Sequence, residues 1–513
     1  MSAPACVPLG LIYASVVAVG IAAAQDVPST PDAGAAGNGR AVLAELCGTF
    51  EQTGAAVDLS GQRYAPEQAR DPDTPVATVD ARQSMLLLPG GHFLLRTSTL
   101  YPGGIEFRFR TIGSPAGEQT IDELGWRDGD VLSLDDAAAA TTDDADLRML
   151  VPSLLACDAI ARGVRTTGAA LVFRDGAGRD VTMRPGDGRT LASAAVGDEE
   201  YRYGDWRPSP HGLQPAQVER LRKQVPVARW SDVRIAPAPG KVEALAMPRG
   251  FRPAQPPGRL RATSLGAGAY RIDGAASGYH GGFVVGTNGI ALFDAPVGVE
   301  EAGLVRAVIE QAAPGRPIAY VVLSHHHGDH LAGLPAYAQA QVIAGAGGGP
   351  AIRRQLPSQA PLRLRELTAP MDLDLGGQTL RVLPVPSGHA ATMVAAYAPL
   401  SQTLFQGDLF YLPERGPVPA AFQTGLELMA LIERERLAVR DIVGVHGRTG
   451  TLEDLRRAIA LRSSAPNDRG GIGPDTSLRS SPGLEPRSNA SQDGPALREA
   501  SRIPPCSTRR DGF

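Results

Sequence analysis

At 513 residues the chain is too long for one core of ordinary size, so two domains plus terminal segments are expected. An apolar share of 43% is that of a globular protein, and a net charge of -4 leaves no basic footprint for nucleic acid or an anionic membrane surface. The 60 glycines and 43 prolines favour turns, strands and connectors over a helical bundle.

Residues 1–24 read as a signal peptide. An apolar run from Val7 to Ile21 is followed by Ala22, Ala23 and Ala24 ahead of Gln25, a small-residue cleavage site. The expected address is extracytoplasmic, periplasmic or secreted, with membrane anchoring if the segment stays uncleaved. Cys6 leaves with that segment and Cys506 lies in the tail. Cys47 and Cys157 remain, either paired in an oxidising compartment or buried as separate thiols.

Residues 40–235 read as a β-rich accessory domain. The run IEFRFR places Ile105, Phe107 and Phe109 on one strand face and Glu106, Arg108 and Arg110 on the other. It follows HFLLRTSTL across the turn Tyr101-Pro102-Gly103-Gly104, which predicts a hairpin, and ALVFRDGAGRDVTM predicts a second around Asp175-Gly176. Between them DADLRMLVPSLLACDAIARG is helical in period, with Leu154, Leu155 and Ile160 as expected core contacts. The segment 197–215 is expected as a late edge of the sheet. A curved antiparallel sheet packed by helices resembles the half-barrels of bacterial lipoprotein carriers, which implies membrane or lipid association through this domain. His92 and His211 lack metal-ligand spacing and read as ordinary histidines.

Residues 236–258 form a Pro-rich linker that can sustain neither a helix nor a central strand. From 259 to 462 strands alternate with amphipathic helices, the pattern of a layered α/β domain. GAYRI, GFVVGT, GIALFDAP, IAYVVL, TLRVLPV, MVAAYAP, TLFQ and DIVGV read as strands. VEEAGLVRAVIEQA reads as a helix pairing Leu304, Val305, Val308 and Ile309, and LAGLPAYAQA, LELMALIERERL and LEDLRRAIALR as further helices. Residues 463–513 lack apolar periodicity and are expected to be a disordered tail.

Six of the nine histidines fall between residues 325 and 446. Four of them crowd into SHHHGDH, Ser324 to His330, immediately after the strand IAYVVL, where α/β folds expose functional groups. One ion cannot easily take His325, His327, Asp329 and His330 together, because His325 and His327 share a reach that Asp329 and His330 do not. Two adjacent ions answer the crowding. His389 in PSGHA, Asp408 in QGDLF and His446 in GVHGRTG each follow a later strand, so three strand ends deliver one further donor apiece.

This constellation resembles the metallo-β-lactamase superfamily. His325, His327, Asp329 and His330 match its His-x-His-x-Asp-His signature, followed in order by His389, Asp408 and His446, while Asp294 in GIALFDAP sits where the family supports the metal loop. The resemblance implies an αββα sandwich of two sheets with outer helices, preceded here by the β-rich N-terminal domain. It implies a first metal on His325, His327 and His389, a second on Asp329, His330 and His446, and Asp408 as the bridge. His326 is left as a packing residue or a support for the ligands.

Imidazole and carboxylate donors without thiolate suit two divalent ions, zinc first, with iron or manganese also compatible. Metal lowers the pKa of bound water to about 7. The expected function is therefore an exported hydrolase whose dinuclear-metal-activated hydroxide, oriented by Asp329, attacks an ester, lactone, thioester or related bond of a small molecule. Within the family a bridging aspartate resembles the thioesterase, lactonase, sulfatase and nuclease branches rather than the β-lactamases, while GVHGRTG departs from the Cys-Gly-His-Glu-Tyr run of the glutathione-thioester branch. The alternatives are a β-lactam hydrolase, a binding or carrier protein with a passive metal domain, and a mononuclear-iron oxygenase on the same fold. Arg353 and Arg354 are candidates for the mouth of the site, though more readily solvated. Tyr411 is a candidate leaving-group donor, though more readily a packing residue, and Tyr279 and His280 precede a core strand within reach of the site.

Overall fold

The computed structural model describes residues 35–74, 78–123, 130–134, 144–239, 245, 252–253, 258–296, 298–356, 361–414 and 416–464. Residues 1–24, expected as a signal peptide, most of the Pro-rich connector and the tail beyond 464 lie outside the described residues. Among the described residues no helix is long and apolar enough to cross a membrane.

The N-terminal domain is built on a 14-stranded sheet. From the strand Ala55–Tyr64, successive antiparallel strands step outward to Asp130–Leu134. A second series starts at Arg165–Thr167 and steps back inward until Val225–Pro237 pairs with Ala55–Tyr64. Closing the two series on each other puts the hairpin Glu199–Ser209 and Gly212–Arg222 in the interior of the sheet, not at the edge expected for it. Both predicted hairpins form, and Asp175 Oδ1 accepts the N–H groups of Ala177 and Arg179 at 2.9 Å to shape the second turn.

One sheet face is covered by the helices Ala35–Cys47 and Pro152–Arg162, whose Leu43, Leu154 and Leu155 join Phe173, Met183 and Trp230 in one core. Burying each such side chain contributes about 1.5–3 kcal/mol. Ile160 faces out instead, 45% exposed, because the helix packs through its Leu154, Ala156 and Ala159 side. Cys47 and Cys157 are disulfide-bonded, tying the two helices across 110 residues of chain.

The C-terminal domain is the predicted sandwich. A 7-stranded sheet runs in chain order from Arg261–Gly266 to Arg363–Leu367, and a 6-stranded sheet from Met371–Asp374 to Gly450–Thr451. Val284, Phe293 and Val322 of the first meet Val382, Ala396 and Phe405 of the second between the layers. The helix Val299–Ala312 covers the outer face of the first sheet, and Gln423–Arg434 and Leu452–Ser464 cover that of the second. Leu304 is 62% exposed, so the first helix buries Ala302, Val308 and Ile309 in its place.

One expected helix does not form. LAGLPAYAQA is split into the short helix Gly328–Leu331 and a 3-10 turn at Leu334–Tyr337. Pro335 has no N–H to continue the helix, and Gly333 lies so close to the preceding loop that a Cβ there would stand 2.9 Å from Ala295 O. The break tucks the cluster loop tightly against the first sheet. The described residues through Ser464 form one compact unit, so loops of the N-terminal domain lie against the sandwich.

Candidate metal centre

The cluster loop leaves the strand Ile318–Val322 in extended conformation and enters the short helix at Gly328. Alternation sends the side chains of His325 and His327 to one side, while the helical turn swings Asp329 and His330 beside them. His325 Nε2 lies 3.0 Å from His327 Nδ1 and 3.3 Å from His389 Nε2. Donors held 2.0–2.1 Å from a tetrahedral zinc ion stand about 3.3 Å apart, so these three nitrogens are spaced as ligands of one ion.

Asp329, His330, Asp408 and His446 make the second group, with one donor atom each inside a 4.8 Å span. Asp408 joins the two groups. Its Oδ2 is 3.3 Å from His389 Nε2, and its Oδ1 is 3.0 Å from His330 Nε2 and 3.4 Å from His446 Nε2. Asp408 can come so near because Gly407 precedes it: a Cβ at Gly407 would stand 2.4 Å from Ser324 Oγ and 3.2 Å from His325 Nδ1.

Three buried atoms here have no hydrogen-bond partner: Asp329 Oδ1, His330 Nε2 and Asp408 Oδ1. Leaving buried polar groups unsatisfied costs about 1–3 kcal/mol apiece. His330 Nε2 lies 3.0 Å from Asp408 Oδ1 and 3.7 Å from Asp329 Oδ2, so the orphaned atoms belong to side chains gathered at ion-pair distance, the arrangement a bound cation satisfies. The residues therefore fit two divalent ions.

The electrostatics agree. Burial and the neighbouring imidazoles push His325 and His327 well below the usual histidine range, so both offer lone pairs at neutral pH. Burial also lowers His330, but the carboxylates of Asp408, Asp329 and Asp294 outweigh it and hold that imidazole well above its ordinary value. Burial raises Asp408, yet His330 and His446 outweigh it and keep the carboxyl well below its ordinary range.

Residues 280–446 match the family model of the metallo-beta-lactamase superfamily. The C-terminal domain is a metallo-β-lactamase superfamily domain. The hydroxyacylglutathione hydrolase of Acidiphilium cryptum (strain JF-5) is 32% identical over 147 residues, 27% of this chain and 56% of that protein. The hydroxyacylglutathione hydrolase of Rhodobacter capsulatus is 36% identical over 90 residues, 17% of this chain and 32% of that protein. The chain thus spans only 56% and 32% of the lengths of these two relatives. Among solved structures, the metallo-beta-lactamase from Pontibacter korlensis is 21% identical with a TM-score of 0.34, covering 40% of this chain and 100% of that one. The flavodiiron protein from Giardia intestinalis is 18% identical with a TM-score of 0.33, covering 40% and 59%.

Around the donors of this metallo-β-lactamase domain the supporting contacts are specific. Asp294 accepts the Ser324 N–H through Oδ1 at 2.6 Å and meets His330 Nδ1 through Oδ2 at 3.0 Å. It does so from φ +58, a left-handed conformation that short polar side chains tolerate best. Tyr279 donates to Asp329 Oδ2 at 3.3 Å and packs edge-on against His446, and the Tyr411 ring stacks on His446 as well. His280 turns away from the donors to Glu414 at 2.7 Å and Ile272 O at 3.2 Å. Arg354 is exposed on its helix and bonds Pro72 O of the N-terminal domain, so its guanidinium serves domain contact.

His326 bridges Thr392 Oγ1 at 2.8 Å and Ala69 O at 2.9 Å, and burial pulls its pKa down to about 4, so the bridge is made by a neutral ring. Ala69 and Pro102, whose carbonyls reach this centre, carry no signal in the sequence. A backbone carbonyl has no residue type, and these two stand more than two hundred positions before the histidines they meet. The site opens on the side of Asp329 and His446, whose side chains are 16% and 21% exposed, against 0% for His330 and 2% for His389.

Proposed function

We propose that this protein is a dinuclear zinc hydrolase acting outside the cytoplasm on a small thioester, or on an ester or lactone of similar shape. The observation that carries the reading is Asp408 standing within 3.4 Å of donors from both groups, because a shared carboxylate is what holds two cations side by side. The donor set, five histidines and two aspartates with no thiolate, suits zinc. Bound ions would supply Lewis acidity and water acidified to a pKa of about 7.

The chain's own groups supply the rest. Asp329 has one oxygen fixed by the Tyr279 hydroxyl and the other buried and unpartnered, so it can orient water and take its proton. Tyr411 is kept protonated by burial and by the Asp408 carboxylate, which leaves its phenol as a proton donor beside His446 at the open side. A thiolate or alkoxide leaving group needs such a donor only weakly or strongly according to its basicity, so the same site accommodates both classes.

Support for the thioester comes from the relatives named hydroxyacylglutathione hydrolase. The departure at GVHGRTG favours a thioester or ester whose recognition differs from theirs. Support for the extracytoplasmic address comes from the apolar leader and from the Cys47–Cys157 disulfide, a bond that persists in oxidising compartments.

Metal content of the full chain, measured beside His330→Ala, tests the reading. About two zinc ions per chain, falling toward one in the variant, with turnover of a hydroxyacyl thioester, an aryl ester or a lactone, is the expected result. A wild-type chain that binds no metal, or one iron with oxygen consumption, would overturn it.

A further inference from the structure

We propose that the N-terminal β domain is a working part of the metal centre, its backbone carbonyls at Ala69 and Pro102 fixing the tautomer and orientation of two of the three histidines that hold the first ion. This rests on the metal-centre reading above and assigns a role to the domain that precedes it.

A histidine offers a lone pair on one ring nitrogen only when its proton sits on the other. For His325 the far nitrogen, Nδ1, meets Ser324 Oγ at 2.9 Å, and a hydroxyl can either donate or accept, so that contact alone does not place the proton. A carbonyl only accepts. His327 Nε2 lies 3.1 Å from Ala69 O, and His389 Nδ1 lies 3.0 Å from Pro102 O. Each contact therefore places the proton on the far nitrogen and leaves the lone pair on His327 Nδ1 and on His389 Nε2. Those are the two atoms that stand 3.0 Å and 3.3 Å from His325 Nε2 at the first ion's position. Partners of this kind raise ligand basicity and hold ring orientation, and losing one costs typically 10–100-fold in metal affinity.

The two carbonyls are held in place for this task. Ala69 follows the short 3-10 turn Pro66–Gln68 and is 4% exposed; its oxygen accepts from both His326 and His327, which fills its two lone pairs. The same segment is latched by Ala391 N–H to Arg70 O at 2.8 Å and by Arg354 to Pro72 O. Pro102 O sits in the tight turn between the strands Phe93–Tyr101 and Ile105–Ser114, where Gly103 has φ +81. A Cβ on Gly103 would stand 2.7 Å from Thr424 Cγ2 and 3.0 Å from His389 Cβ, so glycine is what lets the turn lie against His389. Both contacts cover the first ion's side, while the opening lies at Asp329 and His446. Thermodynamic reciprocity then requires that metal binding tighten the docking of these two turns by the same factor that docking tightens the metal.

The test uses the full chain and two readouts other than turnover. In Gly103→Ala, which forces the turn off His389, zinc competition against a chelator is expected to show one of the two ions weakened by about 10–100-fold. Met183→Ala, a cavity in the distant β core, is the control and is expected to keep wild-type zinc affinity. In the wild type, hydrogen exchange with and without zinc is expected to show added protection at residues 66–72 and 101–104 but none at the strand Ala170–Arg174, and this measurement stands alone if the variant does not fold. A folded Gly103→Ala with unchanged zinc affinity, or a wild type without zinc-dependent protection of these turns, would overturn the proposal while leaving the dinuclear hydrolase intact. A wild type that binds no zinc would defeat both.

Discussion

Asp294 holds His330 from behind: its Oδ2 lies 3.0 Å from His330 Nδ1 while its Oδ1 takes the Ser324 N–H at 2.6 Å. One carboxylate thus sets both the start of the cluster loop and the ring of a candidate ligand to the second ion. Asp294→Asn keeps the tolerance for φ +58 but exchanges one acceptor for a donor. The expected outcome is a folded protein with a melting temperature near that of the wild type and zinc affinity at one of the two sites reduced by about 10–100-fold, read by chelator competition. Loss of folding with no selective loss of one ion would contradict this role.

Tyr411 stacks on His446 at 5.5 Å between centroids, with a phenol that burial and Asp408 hold in the protonated form. If it protonates the leaving group, Tyr411→Phe lowers kcat by about 10²-fold on esters with basic alcohols, the low end of general-acid catalysis, with KM little changed. Activated esters with acidic leaving groups are expected to lose far less. Equal losses across a leaving-group series, measured at saturating substrate, would reduce Tyr411 to packing.

The loop that carries His446 is tied to the first sheet by a charged cluster. Arg271 Nη2 donates to Gly447 O at 2.6 Å and to Glu414 Oε1 at 3.4 Å, and His280 Nε2 meets Glu414 at 2.7 Å. Burial raises the Glu414 carboxyl, but the hydrogen bond and charge of His280 and the charge of Arg271 outweigh it and leave the pKa lowered. A depressed carboxyl stabilises the fold above its unfolded value of about 4.3, and that contribution is lost as pH falls through the folded value. Melting temperature against pH is expected to show wild type above Glu414→Gln at neutral pH, with the two curves converging on acidification. Curves that stay parallel below pH 4 would sink the assignment.

Removing the Cys47–Cys157 bond releases a loop of 110 residues and so restores much of the unfolded chain's freedom. The double variant Cys47→Ser/Cys157→Ser is expected to lose about 2–5 kcal/mol in denaturant unfolding of the N-terminal domain. Since the turns at Ala69 and Pro102 belong to that domain, partial loss of zinc affinity should accompany its unfolding and not precede it. A variant of unchanged stability under oxidising conditions would show the thiols to be unpaired in solution.

The donors were legible in the sequence because ligand chemistry is written in residue type: His325, His327, Asp329 and His330 announce themselves by spacing, and His389, Asp408 and His446 by standing where apolar runs end. The sandwich was legible for the same kind of reason, since buried strands and amphipathic helices each leave a periodic trace. Short or half-buried strands such as Arg363–Leu367 and Gln341–Gly345 left too little contrast to be read. Position relative to partners far along the chain leaves none. Pro335 and Gly333 ended a helix that periodicity extended, and the pairing of Val225–Pro237 with Ala55–Tyr64 turned an expected edge into an interior hairpin. Only the folded chain decided that Cys47 meets Cys157, that His280 faces Glu414, and that Ala69 O and Pro102 O reach the histidines of the metal centre. Side-chain identity is local and survives in one dimension, whereas a carbonyl hydrogen bond depends on where two backbones come to rest, and that is settled by packing across the whole chain.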